Sequence, residues 1–253
     1  ATREDRPAVI RVHGGSWTEG RRSELPRWDT WLASRGYVVF DIDYRLSRPG
    51  APTWRRAPGD VKCAVAWVRA NATRYGVDAD RLVLMGDSAG GHLALLAANA
   101  GPELPSACPD LGGHGRAPVE AVIAMYAPTV LADAYRAPRP WWYDPTLWRT
   151  GQRWLRTYLG GSPEQVPEAY RASEPFRHVD RDSPRTLLVH GGSDLLVPVD
   201  DSRRMARALS SAGAENTLVE IGYADHAFDV NWGGFGAQIA RFHITRFLRE
   251  GPT

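Results

Sequence analysis

The chain has 253 residues, 43% hydrophobic and 24% charged, with a formal net charge of +2. That length suits one α/β domain spanning residues 1–253 with a sizeable core, and so small a net charge excludes nucleic acid as a required partner. No apolar run approaches the length of a membrane span, and Cys63 and Cys108 are too few for a disulfide framework or a zinc site.

Residues 8–13 read as a strand closed by Gly14 and Gly15. Residues 23–35 read as a helix, with Leu25, Trp28 and Leu32 at helical spacing. A second apolar strand, 37–42, follows Gly36 as the helix stop. Residues 60–75 form a helix with Val61, Ala64, Val65 and Val68 on one face. A short buried strand at 81–85 leads into a helix at 92–98. Strands at 119–125, 186–190 and 216–221 follow, with helices at 200–212 and 234–249. Alternating strands and helices, with the strands as continuous apolar runs, predict an α/β fold: a mostly parallel sheet covered on both faces. Cys63 lies on a predicted helix and Cys108 in a loop, and the sequence leaves open whether they pair.

Residues 128–184 break this rhythm, and Trp141, Trp142, Tyr143, Trp148, Trp154 and Tyr158 crowd there. A long non-sheet insertion in a compact domain is usually functional, which predicts an aromatic-rich lid or pocket wall. The competing reading is a satellite core, since aromatic side chains mostly just pack.

The run Gly86-Asp87-Ser88-Ala89-Gly90-Gly91 sits between the strand at 81–85 and the helix at 92–98. A serine with glycine two residues away on either side, on a strand-to-helix turn, is a nucleophile elbow. The turn forces the serine backbone into a strained conformation and crowds out neighbouring side chains. It also sets the hydroxyl at a helix N-terminus, where free N–H groups favour developing negative charge.

A serine nucleophile needs a base, and the base an orienting acid, here in the chain order Ser, Asp or Glu, His. Asp194 follows the strand ending at His190, and His226 follows the next strand, so two successive strand ends can deliver both to Ser88. Asp201 and Asp225 are rival acids: Asp201 belongs to the following helix, and Asp225 would have to fold back on its neighbour His226. His190 reads as a packing residue, and His13 as one that pins its loop. For an oxyanion, Ala89 supplies the amide after the nucleophile, and Gly14 and Gly15 supply amides from the loop after the first strand. Trp17, Trp141 and Trp142 are candidate substrate-pocket walls.

With His13-Gly14-Gly15-Ser16-Trp17, Asp43-Tyr44-Arg45-Leu46, the stretches 60–67 and 76–81, the elbow, Asp194 and His226, most of the chain resembles the α/β-hydrolase superfamily. Within it, the resemblance is to hormone-sensitive-lipase-like bacterial carboxylesterases, acetyl esterases and the kynurenine-formamidase group. It implies a cofactor-free, metal-free serine carboxylic-ester hydrolase with a small-molecule ester substrate of small to medium acyl length. Acyl transfer to another alcohol and amide or formamide hydrolysis would use the same residues, and a non-catalytic binding domain is the reading from another class. The chain departs from the lipase-like pattern at Ser16, where a third glycine stands, and at Ser47-Arg48-Pro49, where Ala-Pro-Glu is usual. It also starts without methionine and without the family's preceding strands, which reads as a fragment or domain of a longer protein, with a cytoplasmic, exported or membrane-tethered parent all open. Compartment, oligomeric state, acyl length and alcohol identity stay open at this level.

Overall fold

The computed structural model describes residues 5–111, 115–136 and 145–250. Strand β1 (Arg6–Val12) lies one place in from the edge of the sheet, between β2 (Val38–Ile42) at the edge and β3 (Val77–Asp87). Outward from β3 come β4 (Ala121–Met125), β5 (Arg185–Gly191) and β6 (Asn216–Ile221), and every pairing is parallel. Parallel neighbours require crossovers. These are supplied by α1 (Pro26–Ala33), α2 (Ala57–Ala70) with the short α3 (Ala72–Tyr75), α4 (Ala89–Asn99) and, between β5 and β6, α8 (Asp200–Ala212). Between β4 and β5 run α5 (Leu131–Arg136), α6 (Pro145–Leu159) and α7 (Pro167–Ala172), and α9 (Phe235–Glu250) closes the chain.

The period-two alternation of strands sorts the core into two layers. Ala8, Ile10, Leu82, Leu84, Val122 and Leu188 face one layer, filled by Val61, Val65, Leu93 and Met205 from α2, α4 and α8. Val9, Val83, Met85, Ile123 and Val189 face the other, against Trp28 and Leu32 of α1 and Ala240, Ile244 and Phe247 of α9. Burial of strand residues on both faces is why they read as unbroken apolar runs.

Several boundaries differ from the sequence reading. The first helix starts at Pro26, not Ser23, because Ser23 sits at φ 64 with its amide donated to Asp41. The helix read as 60–75 starts at Ala57 and breaks at Asn71, whose ψ of 11 leaves the helical range and whose side chain donates to Trp67 O. The elbow strand reaches from Val77 to Asp87, and α4 begins at Ala89 directly after the serine. Cys63 and Cys108 are joined as a disulfide, tying α2 to the segment after α4. Beside it Lys62, the chain's single lysine, donates to the carbonyls of Ala100, Gly101 and Leu104 at 2.7–2.9 Å. Among the described residues, no helix is long and apolar enough to cross a membrane.

The chain runs from β1 out to β2 and returns to β3 on the other side of β1. At that reversal the crossovers leave the carboxyl ends of β1 and β3 on opposite faces, opening the crevice where such sheets bind ligands. The loop containing Gly14 to Trp17 follows β1, and Ser88 follows β3.

Candidate active site

Ser88 lies between β3 and α4 at φ 50 and ψ −120, a conformation few residues with a side chain adopt. The flanking glycines are required by space: a Cβ on Gly86 would stand 2.4 Å from Gly90 backbone, and one on Gly90 would stand 2.0 Å from Val12 O. The amide of Ser88 donates to Met125 O at 2.9 Å and its carbonyl accepts from the His92 amide at 3.0 Å, which locks the turn to β4 and to the first turn of α4.

His226 and Asp194, 138 and 32 residues from their respective partners, complete a hydrogen-bonded chain. His226 Nε2 is 3.0 Å from Ser88 Oγ, and His226 Nδ1 is 2.8 Å from Asp194 Oδ2. An ionised carboxylate only accepts, so Nδ1 carries the proton and Nε2 presents a lone pair to the hydroxyl. Tyr126 packs its ring edge-on against the imidazole at 4.7 Å, and its hydroxyl is held by Asp229, which also accepts from Trp28 Nε1 at 2.7 Å.

Asp194 is buried at 9% exposure and bonded on both oxygens. Oδ1 accepts the amides of Leu196 and Val197 at 2.9 and 2.8 Å. Burial pushes its pKa up, but donors from His190 and His226 and the Val197 amide outweigh burial and bring it to about 2. His190, read from the sequence as a packing residue, is fully buried and sits 3.3 Å from Asp194 Oδ2 through Nε2. That nitrogen also faces Val197 O at 2.9 Å, so it carries the ring proton, and Nδ1 accepts from Ser202 at 2.7 Å. The rival acids are engaged elsewhere: Asp201 accepts the amides of Thr129 and Val130, and Asp225 those of Leu195 and His226.

The turn after β1 passes close beside the serine. A Cβ on Gly14 would stand 2.6 Å from Asp87 Oδ2 and 3.4 Å from Ser88 Cβ, and the Gly14 amide faces the Asp87 carboxylate. Gly15, Ser16 and Trp17 follow at φ 101, 52 and 61. The two non-glycine residues each cost on the order of 1–3 kcal/mol of strain. His13 pins the turn as expected, donating Nδ1–H to Gly14 O at 2.7 Å and stacking on Tyr44 at 4.3 Å. Ala89 is the first residue of α4, so its amide has no intrahelical acceptor and stands next to Ser88.

Two cavities meet at Ser88. One, of about 60 Å³, is walled by apolar groups including Trp17, Leu131, Trp154, Leu155 and Val197, with Ala89 at its floor. The other, of about 510 Å³, has charged groups in its lining; His226 lines it, together with Glu19, Glu24, Asp41 and Asp87. Helix α6 lines the small cavity through Trp154 and Leu155, while Tyr158 and Leu159 join the core. Trp17 lies in the wall of the small cavity, whereas Trp141 and Trp142 lie outside the described residues. Nothing in the sequence marked Tyr126 and Asp229, which meet only because β4 brings its end beside the loop after β6.

The family model BD-FAE matches residues 1–209. Esterase LipC of Mycobacterium tuberculosis is 32% identical over 232 residues, which cover 88% of this chain and 53% of LipC. The probable carboxylic ester hydrolase LipM of the same organism is 30% identical over 246 residues, covering 96% and 54%. The chain therefore spans about half the length of these curated relatives. Among solved structures, the thermophilic esterase Est2 of Thermogutta terrifontis superposes with a TM-score of 0.79 at 28% identity, covering 99% of this chain and 83% of Est2. Est2 is also known with butyrate and with propionate bound. The parallel sheet, the serine on its elbow and these matches together make this chain a member of the BD-FAE family, with the α/β-hydrolase fold.

Proposed function

We propose that this chain is a serine carboxylesterase that cleaves esters of short acyl chains through an acyl-enzyme on Ser88. The observation that carries the reading is the hydrogen-bonded chain from Ser88 Oγ through His226 to Asp194. His226 Nε2 takes the hydroxyl proton as Oγ attacks the ester carbonyl, and Asp194 holds the Nδ1–H tautomer and offsets the imidazolium charge. The carbonyl oxygen gains negative charge facing the amides of Ala89 and the Gly14–Gly15 turn. With the Gly14 amide facing Asp87, we assign Gly15 as the donor from the turn, and to Gly14 the part of letting the backbone approach Ser88.

The two cavities divide the substrate. The protonated histidine must deliver its proton to the leaving alcohol oxygen, so the alcohol belongs on the side lined by His226, the larger cleft. The acyl chain then enters the small apolar cavity, with α6 as its lid. At roughly 10–15 Å³ per water-sized sphere, a cavity of about 60 Å³ takes about four to six water-sized groups, room for a short acyl chain. The propionate and butyrate seen on Est2 agree with that size.

Hydrolysis of p-nitrophenyl esters from acetate to decanoate tests the reading. Wild type turns over acetate to butyrate best and falls off beyond, and Ser88→Ala loses activity by about 10⁴-fold or more. Turnover that survives Ser88→Ala sinks the mechanism, and a preference for decanoate sinks the acyl assignment.

A further inference from the structure

Three successive left-handed residues, Gly15, Ser16 and Trp17, form the turn after β1 to which the oxyanion donor Gly15 is assigned above. Donors to a transition state act through preorganisation, so this strained turn must be held still. Its backbone is tied at several points. Tyr44 donates to the carbonyls of His13 and Gly14 at 3.2 and 3.1 Å. The amides of Thr18 and Glu19 both reach Gly15 O at 3.0 Å, and that of Ser47 reaches Trp17 O at 2.8 Å.

The side-chain anchor is Trp17, 4% exposed. Its indole stacks on Tyr158 of α6, with centroids 4.5 Å apart and planes at 11°. Its Nε1–H donates to His92 Nδ1 at 3.1 Å. An indole nitrogen only donates, so His92 Nδ1 carries the lone pair and Nε2 the proton, which goes to Ser173 O at 2.7 Å. Burial holds this imidazole neutral, its pKa pushed down to about 4, so the tautomer persists at neutral pH. His92 stands one turn beyond Ser88, with its amide on the serine carbonyl. A single fully buried ring therefore links the nucleophile's helix, the turn after β1 and the segment after α7.

We propose that His92 is a positioning residue for ester cleavage: through Nδ1 it fixes Trp17, and thereby the turn that carries the Gly15 amide, relative to Ser88. The role rests on the serine-esterase reading above. The Nε2 bond to Ser173 orients the ring and secures the segment after α7, and only the Nδ1 bond reaches the turn.

Two replacements separate the two bonds. In His92→Asn the side-chain oxygen stands near the former Nδ1 and accepts from Trp17, while Ser173 is out of reach. In His92→Gln the longer amide reaches Ser173 O, and the acceptor for Trp17 is lost. With p-nitrophenyl butyrate, His92→Gln lowers kcat by about 10–100-fold, below the 10²–10³ for deleting an oxyanion donor outright, and changes KM less than about threefold. His92→Asn recovers kcat to within about fivefold of wild type. Trp17→Phe keeps the stack on Tyr158 but deletes the N–H, and lowers kcat as His92→Gln does. The double variant is no worse than either single one, because both remove the same bond. Thermal melting is followed for each protein, and kcat is referred to active sites titrated by the p-nitrophenol burst. Equal kcat in the Asn and Gln variants, additive losses in the double variant, or losses in melting temperature alone would each overturn the inference. Those outcomes are distinct from failure of the esterase reading, which is read from wild type against Ser88→Ala.

Discussion

Asp87 and Asp194 are both buried carboxylates at carboxyl ends of strands beside Ser88, at 6% and 9% exposure, yet their protonation is driven in opposite directions. Burial raises Asp87 to about 7, the nearby Asp229 charge adds to that, and Arg11 and the Gly14 amide only partly oppose it. Its Oδ1 has no hydrogen-bond partner, and the Arg11 guanidinium is 3.6 Å away, mostly engaged by Asp29 at 2.9 Å and by Leu25 O. Asp194 suffers the same burial, but donors on both oxygens reverse the outcome and take it to about 2. The difference teaches that a buried acid is ionised by the donors pointed at it, whatever its distance from the chemistry. The acid next to Ser88 in sequence is the weaker one, and Asp194, 106 positions beyond Ser88, is the one hydrogen-bonded to His226.

The sharpest way to break this contrast is Asp194→Asn. It keeps the shape but reverses the His226 tautomer, and kcat on p-nitrophenyl butyrate is expected to fall by about 10⁴-fold with the fold intact by circular dichroism. Retention of more than a tenth of wild-type kcat would mean that another acid serves His226. His190→Phe is the next step down. It deletes one donor to a buried carboxylate, which costs about 1.5–3 kcal/mol of stability at pH 7. Because Asp194 is held below its unfolded value, its contribution is present above pH 4 and lost as pH falls through about 2. With His190 gone, that loss starts at a higher pH, which urea unfolding between pH 2.5 and 6 would detect. Asp87→Asn gives the smallest effect and the opposite sign. Asp87 is raised above its unfolded value, so its contribution is fully present below about pH 4 and lost as pH rises through about 7. The variant should be more stable than wild type at pH 8, on the order of 1–2 kcal/mol, and should keep kcat within about threefold. Equal pH slopes for the two proteins would mean that Asp87 is not held protonated.

Much of this site was legible because the chemistry demands local patterns. The glycines around Ser88 were recognisable since a Cβ on either would collide with backbone, and Asp194 and His226 since each follows an apolar strand. His190 was misjudged because a histidine at a strand end looks the same whether it packs or donates. Only the side-chain geometry at the end of β5, with Val197 O accepting from the same nitrogen, assigns its proton toward Asp194. Helix limits at Ser23 and Asn71 were missed because the apolar spacing continues past the residues whose backbone leaves the helix.

The sequence by itself determined the parallel α/β order, the serine elbow and the strand ends that bear its partners, because period, glycine and chain order are local properties. The disulfide between Cys63 and Cys108, the opposed states of Asp87 and Asp194, and the linkage of Trp17, His92 and Ser173 were decided only by the tertiary structure. Each depends on atoms far apart in sequence, brought within bonding distance by strand order and helix packing, and an interaction of that kind leaves no periodic trace in the chain.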